Sequence, residues 1–129
     1  MKCLLDTHAA VWWWCMPMRL SRKVRRLMEN TENQIFFSAV SAYEISYKHR
    51  LGRLSLPSPL IRDLAANARE EGWLLLPFGV EAAQRAGALD NDPRDPFDRL
   101  LAAQAESEKL PLITGDPVFD SFAIETIWK

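Results

Sequence analysis

Short apolar runs recur along this chain, and each is followed within a few residues by sequence with helical spacing. Lys2 to Leu5, Gln34 to Ser38, Trp73 to Leu76 and Leu110 to Thr114 lack polar alternation, so they read as strands buried on both faces. Helices are expected from His8 through Trp14 after an Asp6-Thr7 cap, from Ser21 to about Asn30, and from Val40 to Leu51 with a stop at Gly52. Further helices are expected from Leu60 to Glu71, after a turn bracketed by Pro57 and Pro59, from Val80 to Leu89, and from an Asp95 cap to about Lys109. A last β-like segment runs from Ile124 to Trp128. This alternation predicts an α/β fold: a three-layer α/β/α sandwich on a mainly parallel sheet of four to five strands.

At 129 residues the chain reads as one domain over 1–129, long enough to bury roughly two-thirds of its unfolded surface without staples. Cys3 and Cys15 have neither CxxC spacing nor partners at zinc intervals, and read as buried thiols of a cytosolic protein. No apolar run approaches the roughly 18 residues of a membrane span, and Asp6 interrupts the N-terminal run too early for a signal core. The expected location is the cytoplasm. Sixteen Lys and Arg balance 17 Asp and Glu, so bulk charge does not mark a nucleic-acid binder. Local charge says more: basic residues cluster at Arg19 to Arg26 and at Lys48 to Arg53, either as solvated faces or as phosphate contacts.

Right-handed crossovers place every strand-to-helix junction of a parallel sheet at one edge, which is where such folds bind ligands. Asp6 ends the first run, Asp116 follows the fourth, and Glu44 lies in the first turns of the helix after the second. Asp98 falls in the first turn of the helix that feeds the fourth strand, and that helix begins at the same edge. Asp98 has two readings. It completes a capping-box-like pair with Asp95 ahead of Pro96, or it is a site carboxylate. Glu44 likewise either pairs with Lys48, one turn on, or sits as an anomalous carboxylate in the core-facing stripe Val40, Glu44, Tyr47 and Leu51.

Carboxylates held at contact distance must take up protons, find cationic partners or bind a metal ion. Oxygen donors without Cys or His favour Mg²⁺ or Mn²⁺, which activate water and neutralise charge on phosphoryl oxygens, so phosphodiester hydrolysis is the expected reaction class. Thr7 and Thr114 are placed to orient these carboxylates, or serve only as cap and ladder residues. Arg99 either holds a phosphate or pairs with a neighbouring acid. Trp12, Trp13 and Trp14 read as core and interface residues, and His8 and His49 lack metal-spaced partners. A phosphatase with an aspartyl nucleophile would want a second Asp two residues after Asp6, where His8 stands, and two further rivals stand beside hydrolysis. A phosphoacceptor signalling domain normally needs a lysine beyond a late strand, and none follows Thr114 before Lys129; the other rival is a non-catalytic binding module on the same fold.

Four motifs in register carry a family resemblance over nearly the whole chain. Leu5-Asp6-Thr7-His8-Ala9 with Trp12, Ser41-Ala42-Tyr43-Glu44-Ile45 with Lys48 and Leu51-Gly52-Arg53-Leu54, Asp95-Pro96-Phe97-Asp98-Arg99-Leu100-Leu101-Ala102-Ala103-Gln104 and Leu112-Ile113-Thr114-Gly115-Asp116 together resemble the PIN-domain ribonucleases, specifically the VapC-type toxins of bacterial toxin–antitoxin pairs. The resemblance implies a PIN-like fold and an acidic quartet of Asp6, Glu44, Asp98 and Asp116 that binds metal. It also places Asp95 close by and Thr114 at a hydroxyl position near the metal. It further implies Mg²⁺- or Mn²⁺-dependent cleavage of RNA, a homodimer, and inhibition by a cognate antitoxin. Lys48 is a candidate RNA contact beside Arg99. The chain departs from many relatives at Asp92-Pro93-Arg94, where they carry a His, and in its run of three tryptophans.

Overall fold

Burial on both faces is what an all-parallel sheet imposes on its strands, and the apolar runs of this chain form such a sheet. A computed structural model describes residues 1–90 and 95–129; most of the turn expected at Asp90 to Arg94, including Asp92-Pro93-Arg94, lies outside them. The elements are β1 (Lys2–Leu5), α1 (Thr7–Cys15), α2 (Arg22–Glu29), β2 (Gln34–Ser38), α3 (Ala39–Arg50), α4 (Ser58–Arg62), α5 (Leu64–Glu70), β3 (Leu74–Leu76), α6 (Val80–Ala88), α7 (Pro96–Glu108), β4 (Leu112–Ile113) and β5 (Thr126–Ile127). Short 3₁₀ turns cover Pro17–Arg19 and Pro117–Ser121. The five strands lie in the order β3-β2-β1-β4-β5, and every pairing is parallel.

β1 occupies the centre, with Leu4 paired to Phe36 on one side and Leu112 on the other. One buried cluster joins Cys3 and Leu5 to Val24, Ile45, Leu60 and Trp73; a second joins Leu4 to Leu101, Ala105, Leu112 and Phe119. Consecutive residues of β1 therefore feed opposite faces, which produces the three layers. Cys3 is buried, but Cys15 is only half-buried, and both thiols are free. Among the described residues no helix is long and apolar enough to cross a membrane.

Several expectations about individual elements need correction. The helix expected over Leu60 to Glu71 is two helices broken at Asp63, whose carboxylate accepts the Ala66 amide at 2.9 Å and so caps α5. The turn expected between Pro57 and Pro59 is the start of α4, where a proline at the second position costs no helical hydrogen bond. The fourth strand is shorter than Leu110 to Thr114, with ladder residues only at Leu112 and Ile113, although the Pro111 carbonyl still accepts from the Leu4 amide at 2.9 Å. On α3 the core-facing stripe also drifts. Val40 and Glu44 are buried, Tyr47 is half-buried and Leu51 is 42% exposed, while Ser41 and Ile45 complete the inner face.

Candidate active site

Asp6 leaves β1 at the C-terminal edge of the sheet and caps α1, its Oδ1 accepting the His8 amide at 3.1 Å. Its other oxygen accepts the Thr114 hydroxyl at 2.5 Å. Only 5% of Asp6 is exposed. Burial pushes its carboxyl above the ordinary range, and Glu44 adds to this, while the Thr114 hydroxyl and His8 oppose it. Thr114 Oγ1 also accepts the Asp116 amide at 3.1 Å, and Asp116 caps the following 3₁₀ turn through the Val118 amide at 3.0 Å. One hydroxyl thus links two of the acids.

Glu44 lies in the second turn of α3 and is 4% exposed. Both sequence readings hold at once: Glu44 is a buried carboxylate, and it forms an ion pair and hydrogen bond with Lys48. Burial acts against the Lys48 ammonium, but the hydrogen bond and charge of Glu44, together with Asp95 and Asp98, raise it above the usual lysine value. Asp95 caps α7 by accepting the Phe97 amide at 2.8 Å. Asp98 follows in the first turn, half-buried. Burial, then the charges of Asp95, Glu44, Asp6 and Asp116, push it up to about 7.

The structure therefore brings all four predicted acids, with Asp95 and Lys48, into one electrostatic field at one sheet edge. They do not form a closed cage: among the described residues no three Asp, Glu, His or Cys side chains are gathered tightly enough to hold an ion unaided. Asp6, Asp95 and Asp116 each also cap a helix or turn through one oxygen, and Glu44 pairs with Lys48. The donor set nonetheless fits a hard divalent ion. It offers only oxygens, and Asp95, Glu44, Asp6 and Asp116 all add to the effect of burial in raising Asp98.

Thr7 is buried and its hydroxyl lies 2.9 Å from that of Ser41, tying α1 to α3 rather than touching a carboxylate. Arg99 donates to the carbonyls of Ala86 (3.0 Å) and Leu89, closing the end of α6. Sequence reasoning quoted Ser41 and Gln104 within motifs but gave neither a role. Gln104 is 1% exposed on α7, accepts the Ser38 hydroxyl at 2.5 Å and donates to the Pro77 carbonyl at 2.9 Å, fastening the Asp98 helix to the ends of β2 and β3. A glutamine among four alanine and leucine neighbours was the only available signal.

Fold and edge together define an α/β protein with an acidic, oxygen-only site at the C-terminal end of a parallel sheet. The chain belongs to the PIN-domain family, whose model, "PIN domain", matches residues 3–125. It is 32% identical over 117 residues to Ribonuclease VapC22 of Mycobacterium tuberculosis, covering 88% of this chain and 85% of that protein. Its fold is similar to that in the crystal structure of VapBC2 from Rickettsia felis bound to a promoter DNA fragment, with a TM-score of 0.71 at 18% identity and full coverage of both chains. It is also similar to DNA-bound VapBC from Salmonella typhimurium, with a TM-score of 0.70 at 23% identity, over 98% of this chain and 97% of that one.

Proposed function

We propose that this chain is a metal-dependent endoribonuclease and the toxin of a toxin–antitoxin pair, held inactive by a cognate antitoxin and acting as a homodimer. The observation that carries the catalytic reading is the gathering of Asp6, Glu44, Asp98 and Asp116 at one sheet edge, where burial first, and then the charges of Asp95, Glu44, Asp6 and Asp116, push the Asp98 carboxyl up to about 7. Kinship with a named ribonuclease supports the choice of RNA. Similarity to the VapBC structures accords with a protein partner.

Asp6, Glu44, Asp98 and Asp116 would hold Mg²⁺ or Mn²⁺, and the bound ion would supply an activated water and neutralise charge on the phosphoryl oxygens. The protein's own part is positioning. Thr114 fixes the Asp6 carboxylate, Gln104 fixes α7 and hence Asp98, and Lys48 balances Glu44. Hydrolysis then joins the water oxygen to phosphorus, breaks one P–O ester bond and returns a proton to the leaving oxygen.

The test is cleavage of RNA by the purified chain with Mg²⁺ or Mn²⁺. Cleavage should vanish in excess EDTA and in Asp6→Asn and Asp98→Asn proteins that keep their circular dichroism spectrum. Wild-type rates in either case would overturn the metal mechanism. For the biological role, toxicity on expression should be relieved by co-expressing the protein encoded beside it.

A further inference from the structure

A cleft of about 490 Å³ opens directly beside Asp6 and Asp116, and its other walls are aromatic and basic: His8, Trp12, Arg19 and Trp128. Trp12 and Trp128 are both half-buried and meet edge to face, with centroids 5.9 Å apart at 61°. The Arg19 guanidinium lies 5.6 Å from the Trp12 ring centre, and Arg19 forms no ion pair among the described residues. The seat of Trp128 is tied to the acidic edge itself. A Cβ on Gly115, between Thr114 and Asp116, would stand 2.6 Å from the indole, so glycine is what admits the ring there. Ser21 donates to the Trp128 carbonyl and Lys23 to that of Lys129 at 3.3 Å, and Ser21 and Lys23 also line a second cleft of about 460 Å³ with Arg22, Arg26 and Lys129.

We propose that the Trp12–Trp128 cleft holds a nucleobase of single-stranded RNA next to the cleaved phosphodiester, and that Arg22, Lys23, Arg26 and Lys129 carry the phosphates of the strand leading away. The inference rests on the ribonuclease reading and adds where the strand lies. Two features favour an unpaired strand over other occupants. Indole and guanidinium planes stack on unpaired bases regardless of sequence, and a file of cations suits a phosphate backbone. The cations stand apart from the acids, which repel phosphate unless it approaches a bound ion, so the strand has one favourable direction of exit.

Fluorescence anisotropy with labelled eight-residue oligoribonucleotides tests this on the full chain carrying Asp98→Asn, which permits binding without cutting. Trp128→Leu and Arg19→Gln should each weaken binding by about tenfold, and Trp128→Phe should stay within about threefold of the parent. The combined Arg22→Gln, Lys23→Gln, Arg26→Gln protein should lower the slope of log Kd against log salt by about two. Affinities unchanged by Trp128→Leu and Arg19→Gln overturn the proposal, and so does loss of affinity for an antitoxin alone. Should the wild-type chain cut RNA while these variants bind normally, the cleft fails and the ribonuclease reading stands. Should it neither bind nor cut, both fail.

Discussion

Thr114 and Asp6, separated by 108 positions in the chain, are joined by one buried hydrogen bond of 2.5 Å at the end of adjacent strands. Removing the hydroxyl takes a hydrogen bond from a carboxylate that is only 5% exposed. Thr114→Val is expected to destabilise the metal-free protein by about 1–3 kcal/mol in urea unfolding, and Thr114→Ser by less than about 1. Equal losses for the two would show that packing of the methyl group, not the hydrogen bond, matters here.

Asp98 titrates against its neighbours, with a sign that can be worked out. Its ordinary value is 3.8 and folding raises it to about 7, so the folded state binds the proton more tightly. The resulting stability is complete below the ordinary value and is lost as pH rises through about 7. In EDTA, Asp98→Asn should match the wild type near pH 4 and exceed it by about 1–2 kcal/mol at pH 8, a figure reduced for the solvent exposure of Asp98. Urea titrations at both pH values, read as a difference, test this; a gap that shrinks toward pH 8 refutes it.

Lys48 neutralises a carboxylate that is almost fully covered. Lys48→Met should cost about 1–3 kcal/mol, because Glu44 is left charged and unpartnered, and Glu44→Leu in the same protein should recover most of it. Added Mg²⁺ should partly rescue Lys48→Met but not the double variant. Thermal melts with and without the ion provide the comparison.

Gly115 is fixed by its neighbour's bulk rather than by its own backbone. Gly115→Ala should cost about 1–3 kcal/mol in the wild type and under about 0.5 in Trp128→Leu, where the indole no longer stands in the way. A double-mutant cycle by urea unfolding reads the coupling directly; an additive result removes Trp128 from contact with the acidic edge.

Strands, their order of appearance and the acidic residues at their ends were legible because a doubly buried strand must be apolar and a strand-to-helix junction must be capped. Glu44 was recognisable by misfit, a carboxylate in an apolar stripe. Side-chain direction was not legible. Arg99 borders Asp98 in sequence yet closes α6, and Thr7 borders Asp6 yet bonds Ser41, since one position along a helix turns a side chain by about 100°. The break at Asp63 was hidden because Leu60, Leu64 and Ala68 keep a helical spacing across it. The Trp128–Gly115 contact left no mark in the sequence beyond a glycine in an expected turn.

Because β1 is the middle strand and β4 is its partner, the hydroxyl that holds Asp6 in place is made long after it. A ribosome must deliver 108 residues beyond Asp6 before that carboxylate can meet Thr114. Fragments cut short before Leu112, whether by stalled synthesis or by proteolysis, lack that whole side of the site.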